Sequence, residues 1–259
     1  MKIDIYNYII KELKNVLLLK SMNTKYSHNT IFDLLIFILK SNISWNEKII
    51  VNNNIVKTNS IYKHFSFLSK IDFFNTLLTK IIDKFFKNDL MNSSTFLADT
   101  TFVFNKKCNV KNIKRNPYKC NKYGFKISVI TNEKQIPISI LFAGGNRNDL
   151  KMLEEQLDAP LLTKYLKNKY FLVDKGYKSK NLKQLFNSYD TLLILPKEKH
   201  FYPETNVNIY KKRIKIEHLF AKIKNYKRIS HVFEKYIDNF KSFVYIAFLQ
   251  LIMVGYITN

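Results

Sequence analysis

Glycine and proline are scarce, five of each among 259 residues, which leaves little material for long flexible linkers. The sequence has no glycine-rich phosphate loop, no nucleophile elbow and no internal repeat, which sets aside P-loop nucleotide binding, serine-hydrolase architecture and solenoids. Cysteine is rarer still. Cys108 and Cys120 cannot build a disulfide framework and read as reduced thiols. A zinc site would need two further ligands, and His200, His218 and His231 do not stand at a recognised spacing. The longest apolar run, 242–257, has 16 residues with Gln250 inside it, short of the roughly 18–20 that cross a bilayer. It reads as a buried C-terminal helix, and no membrane partner is expected. Asp4 comes early, and Glu12 and Lys14 interrupt the apolar stretch behind it, which is not the pattern of a secretion signal. An intracellular place is expected, the cytoplasm or nucleoid if the chain is bacterial.

Acidic residues are also few. Twenty stand against 43 basic ones, and a formal net charge of +23 favours a polyanionic partner. An AT-rich genome enriches Lys, Asn, Ile, Phe and Tyr as well, so the distribution of charge says more than its total. Residues 1–92 carry 13 basic and 7 acidic groups, whereas 93–259 carry 30 and 13. All four arginines, Arg115, Arg147, Arg213 and Arg228, lie in the second part. Segment 106–126 has eight basic residues and no acid, with Tyr118, Tyr123 and Phe125 interleaved and Pro117 and Gly124 as breakers. It reads as a long basic loop whose Lys114, Arg115, Lys119 and Lys122 track phosphates while aromatic rings stack on unpaired bases. A merely solvated loop is the alternative.

The second part alternates strand-like and helix-like patterns. FLADTTFVF (96–104) is apolar, β-branched and aromatic, and predicts a strand carrying Asp99. GFKISVIT (124–131) and QIPISILF (135–142) predict two more, joined by a hairpin at Asn132–Lys134. A helix follows over 148–157, extending toward Leu166 with a break at Pro160. KYFLVDKGY (169–177) is a strand ending in Asp174; then come a helix near 179–188, a strand at 191–196 and a helix over 210–224. The order β-β-β-α-β-α-β-α predicts an α/β fold with a mixed sheet and flanking helices across 93–259. Both aspartates are expected where strands end, a common place for function in open α/β sheets, although such residues also serve as turns and caps.

The helix YKKRIKIEHLFAKIK (210–224) contains Glu217, the sole acid between Thr205 and Phe233. Ile216, Leu219, Phe220 and Ile223 recur at helical spacing. At about 100° per residue, Tyr210, Arg213, Glu217 and Lys224 form a stripe beside that apolar face. One reading is an edge where a carboxylate holds a metal and its neighbours grip phosphate oxygens. The other is a solvated helix with an i,i+4 Arg–Glu pair. Three acids in the order strand, strand, helix favour the first. Residues 1–92 look mostly helical, with periodic apolar positions over 5–19, 30–41 and 71–86. A DNA-binding unit of helix-turn-helix kind and a subdomain that only packs explain this region equally well. The polar stretch 88–95 marks the boundary between the two regions.

The run Tyr210-x2-Arg213-x3-Glu217-x6-Lys224 resembles the Tyr–Arg–Glu–Lys signature of DDE-type transposases of bacterial insertion sequences. Asp99 in ADTT is similar to that family's first acidic motif, and Asp174 in VDKGY to its second. GGNRND (144–149), SNISW (41–45) and residues 60–78 extend the resemblance over roughly 30–250. The resemblance implies an RNase H-like catalytic domain in which Asp99, Asp174 and Glu217 are the catalytic and metal-binding carboxylates. It further implies Mg²⁺, with Mn²⁺ as a substitute, and Tyr210, Arg213 and Lys224 on the DNA backbone. Double-stranded DNA, as element ends and target, would be the partner, with a homodimer assembled on it. Only 42 residues separate Asp174 from Glu217, which leaves no room for the β-strand insertion some relatives carry. A structure-specific nuclease or resolvase on the same fold, and a repurposed DNA-binding protein without catalysis, are the alternatives.

Overall fold

The computed structural model describes residues 2–20, 25–51, 54–105, 113–158, 164–196 and 208–255. The N-terminal part forms α1 (Lys2–Leu19), α2 (His28–Ser41), a hairpin of β1 (Lys48–Val51) and β2 (Asn54–Lys57), α3 (Thr58–Lys70) and α4 (Phe73–Ile81). A π-helical turn, Ile82–Phe86, leads into α5 (Lys87–Asn92). Then follow β3 (Thr95–Phe104), β4 (Lys114–Asn116), β5 (Lys122–Asn132), β6 (Pro137–Gly144), α6 (Asp149–Leu157), β7 (Tyr170–Leu172), α7 (Lys180–Ser188), β8 (Leu192–Ile194), α8 (Ile214–Lys224), α9 (Lys227–Ser230) and α10 (Ile237–Gly255). These elements divide into two compact units, one of the described residues up to Ile81 and from Ile223 onward, the other from Ile82 to Lys222.

The second unit is a mixed sheet with helices on it, the fold class expected, and its strand arrangement is RNase H-like. β3 lies between β5, antiparallel to it, and β7, parallel to it, and β8 continues the parallel side. The outer edge of β5 is shared by β4 and β6, both antiparallel. Asn148 caps α6 by accepting the Lys151 N–H, and the helix buries Met152, Leu153 and Leu157. Its buried Gln156 bonds Ser128 at 2.6 Å and Ser139 at 2.9 Å, so the one polar residue on that face is satisfied by the sheet. Ser179 caps α7, whose Phe186 packs on Phe171 of β7 at 4.5 Å between ring centroids.

The first unit is helical around α10. Thirteen of its residues are buried, and it packs against α1, α2, α3 and α4, which is why its sequence is apolar on every side. Length and composition would let this helix cross a membrane, but 67% of its most apolar window is buried inside the protein, as a core helix should be. Phe65 and Phe243 meet at 4.5 Å, and Trp45 stacks on both.

Four expectations are corrected. The N-terminal region holds a β-hairpin and more helices than the three its periodicity indicates, because Ile50 and Ile55 pair across strands too short to leave a period. The basic segment is not a loop throughout: residues 106–112 lie outside the described ones, but Lys114–Asn116 and Lys122 onward form a hairpin. Cys120 and Asn121, both with φ near 50°, and the Lys122 N–H to Lys119 C=O bond make its tight turn of the primed kind. Gly124 is not a breaker but a strand residue; any side chain there would run into the Val103 carbonyl and the Phe102 ring. Finally, Asp99 sits in the middle of β3 rather than at its end.

Candidate active site

The ladder between β3 and β7 covers only Thr95–Leu97 against Tyr170–Leu172. Asp99 and Asp174 each stand two residues beyond its last pair, Leu97 and Leu172, so the two acids follow the ladder at matching positions, Asp99 still within β3. Each is oriented by the peptide that follows it: the Thr100 N–H donates to Asp99 Oδ1 and the Lys175 N–H to Asp174 Oδ1, both at 2.8 Å. A second tie joins the motifs, since the Thr100 and Tyr177 hydroxyls lie 2.9 Å apart. Tyr177 is buried, and that burial pushes its hydroxyl far above the usual phenol range. Burial also raises the Asp99 carboxyl above the usual aspartate range; the Thr100 N–H and the Arg213 guanidinium oppose the shift, and the negative charge of Asp174 adds to it.

Glu217 comes from α8, entered through a 3₁₀ turn at Lys211–Arg213. Ile216, Leu219, Phe220 and Ile223 are buried, so the apolar face predicted for the helix is its inner one. The turn between β5 and β6 fastens the helix. Gln135 Nε2 donates to the Lys215 carbonyl at 2.5 Å, Lys222 donates to Gln135 Oε1 at 2.9 Å, and Lys212 meets Glu133 at 2.5 Å. On the exposed side Arg213 forks: Nη1 donates to Asp99 Oδ2 at 3.1 Å and Nη2 to Glu217 Oε1. The Tyr210 ring lies 6.0 Å from the guanidinium, and Lys224 is exposed at the end of the helix.

Among the described residues, no three His, Cys, Asp or Glu side chains stand close enough to cage a metal ion. The chemistry of the donors nonetheless fits a hard divalent ion. Asp99 and Glu217 already gather around one positive group, the Arg213 guanidinium, and Asp174 acts on Asp99 through its charge. Residues 91–252 match the family model described as the transposase DDE domain. The chain belongs to that family. No curated protein matches it. This DDE transposase is therefore an enzyme of the nucleic-acid-cleaving kind, its partner is DNA, and its family generally uses divalent metal ions.

The other predicted residues fall into two groups. In the transposase Lys114, Arg115, Lys119 and Lys122 are exposed on the β4–β5 hairpin, with Arg115 over the Tyr123 ring at 4.9 Å and Lys122 over Phe104 at 5.5 Å. Two cations that the charge pattern counted are structural instead. Lys126 is buried and bound to Asp149 at 2.7 Å, which also commits that acid. Arg228 is buried against Glu234 at 2.9 Å beneath Trp45. Sequence reading missed the roles of Thr100, Tyr177 and Gln135. The first two stand inside the quoted motifs ADTT and DKGY, which was the available signal; nothing local marks Gln135.

Proposed function

We propose that this transposase cuts DNA at the ends of an insertion element and joins the freed 3′-hydroxyl to target DNA, with Asp99, Asp174 and Glu217 as its metal-holding carboxylates. What supports the reading is that Arg213 bonds both Asp99 and Glu217 while Asp174 follows the β3–β7 ladder at the position matching Asp99, inside a chain of this family. A divalent ion, Mg²⁺ or in its place Mn²⁺, would supply activation of the attacking oxygen and stabilisation of the leaving one. The protein's part is orientation. The Thr100 and Lys175 amides hold one oxygen, Oδ1, of each aspartate. Tyr210, Arg213 and Lys224 would contact the phosphodiester backbone, Arg213 with a fork suited to two phosphate oxygens. The exposed cations of the β4–β5 hairpin extend the contact with DNA. Joining two element ends calls for a homodimer assembled on DNA.

The test is cleavage of a duplex carrying the element end, in Mg²⁺. Asp99→Ala, Asp174→Ala and Glu217→Ala should each nearly abolish nicking and joining while leaving binding to the duplex largely intact. Mn²⁺ should restore activity to metal-stripped wild type. Cleavage at the wild-type rate by Asp174→Ala would remove the triad assignment; cleavage without joining would favour a nuclease.

A further inference from the structure

We propose that Arg213 is an internal counter-ion of the acid site, and that a metal ion enters only as the guanidinium leaves. This rests on the reading of Asp99, Asp174 and Glu217 as metal-holding carboxylates. Asp99 Oδ1 already accepts the Thr100 amide, and Oδ2, the oxygen without a backbone donor, is the one Arg213 holds at 3.1 Å. The other arm of the fork holds Glu217 Oε1. The side chains of Arg213 and Asp99 are only 16% and 22% exposed, so their attraction is weakly screened compared with a surface pair. A guanidinium cannot give up its charge to make room. It must move, and its charge then needs a new partner. A phosphodiester backbone along the same edge offers one, with the planar two-oxygen geometry an arginine prefers. Metal and DNA therefore favour each other's binding through one side chain, and by linkage the coupling runs equally in both directions.

The experiment measures Mn²⁺ binding to the full chain without DNA, by the loss of the free-ion paramagnetic resonance signal. Arg213→Gln should bind at least about tenfold tighter than wild type, the scale of one partly buried charge contact. Arg213→Lys, which keeps the charge but not the fork, should fall between them. Asp99→Asn should lose the site in either background. Because the chain has only four arginines, the Arg213 side-chain N–H can also be followed by NMR, and it should shift as Mg²⁺ is added to wild type. That measurement decides the matter if Arg213→Gln fails to fold. Asp99-dependent binding of equal strength in wild type and Arg213→Gln, or an Arg213 signal unmoved at saturating Mg²⁺, would overturn the proposal and leave the carboxylate reading standing. Binding that ignores Asp99→Asn would overturn both.

Discussion

The Tyr177 side chain is buried, and its hydroxyl reaches Thr100. The contact joins the residue after the first acid to the residue three after the second, so it ties the middle of β3 to the turn that follows β7. Tyr177→Phe keeps the ring and removes only the bond. Stability should fall by about 1 kcal/mol, the net worth of one such hydrogen bond. Cleavage should fall further, about tenfold or more, because small misplacements of reacting groups are costly. Urea denaturation and a nicking assay on the same preparation separate the two effects; a stability loss with full cleavage would make the bond structural only. At this scale the i,i+4 pair of Arg213 and Glu217 was legible, since helical period is local. The second arm of Arg213 was not, because Asp99 lies 114 residues away in sequence.

Among the elements, the turn between β5 and β6 does more than reverse the chain. Buried Asn132 organises it, accepting the Lys134 and Ile136 amides at 3.0 Å and donating to Ser93 at 2.9 Å. Gln135 takes the left-handed conformation, φ 63°, and in that pose holds the Lys215 carbonyl and Lys222 of α8. The turn therefore sets where Glu217 stands. Gln135→Ala removes both bonds at a half-buried position and should cost under about 2 kcal/mol. Cleavage should drop several-fold with the melting temperature little changed, and DNA affinity should be nearly retained. Unchanged cleavage would mean that the buried face of α8 positions Glu217 unaided. The hairpin itself was legible from Asn132-Glu133-Lys134 between two apolar runs, but its grip on a helix 80 residues later was not.

On the scale of the whole molecule, the first unit stakes its core on buried polar groups. Arg228 and Glu234 are almost fully buried together, a pair whose loss of one partner costs far more than a surface bridge. His64 is 7% exposed, and its Nδ1 has no hydrogen-bond partner among the described residues. Burial pushes its pKa below the ordinary histidine value, and the charges of His28 and Lys63 act in the same direction. The unfolded chain then takes up a proton more readily than the folded one. The stability this provides is fully present above the ordinary value of about 6.5 and is lost as pH falls through the lowered one. Urea midpoints between about pH 7 and pH 5 should decline for wild type, and less steeply for His64→Leu. Equal slopes would assign the decline to other groups.

Composition and apolar period determined by themselves the mixed α/β class and most of the strands and helices after residue 95, though not the short β4 within the basic stretch. All are properties of neighbours along the chain, or of residues one helical turn or one strand pleat apart. Tertiary structure decided which charges are spent on the fold and which face the site. Lys126 and Arg228 carry the same charge as Arg213 and lie in similarly basic stretches, yet the first two are sealed against Asp149 and Glu234 while Arg213 meets two of the three acids. Nothing in a window of sequence separates these cases, because a buried cation is defined by the partner that folding brings to it.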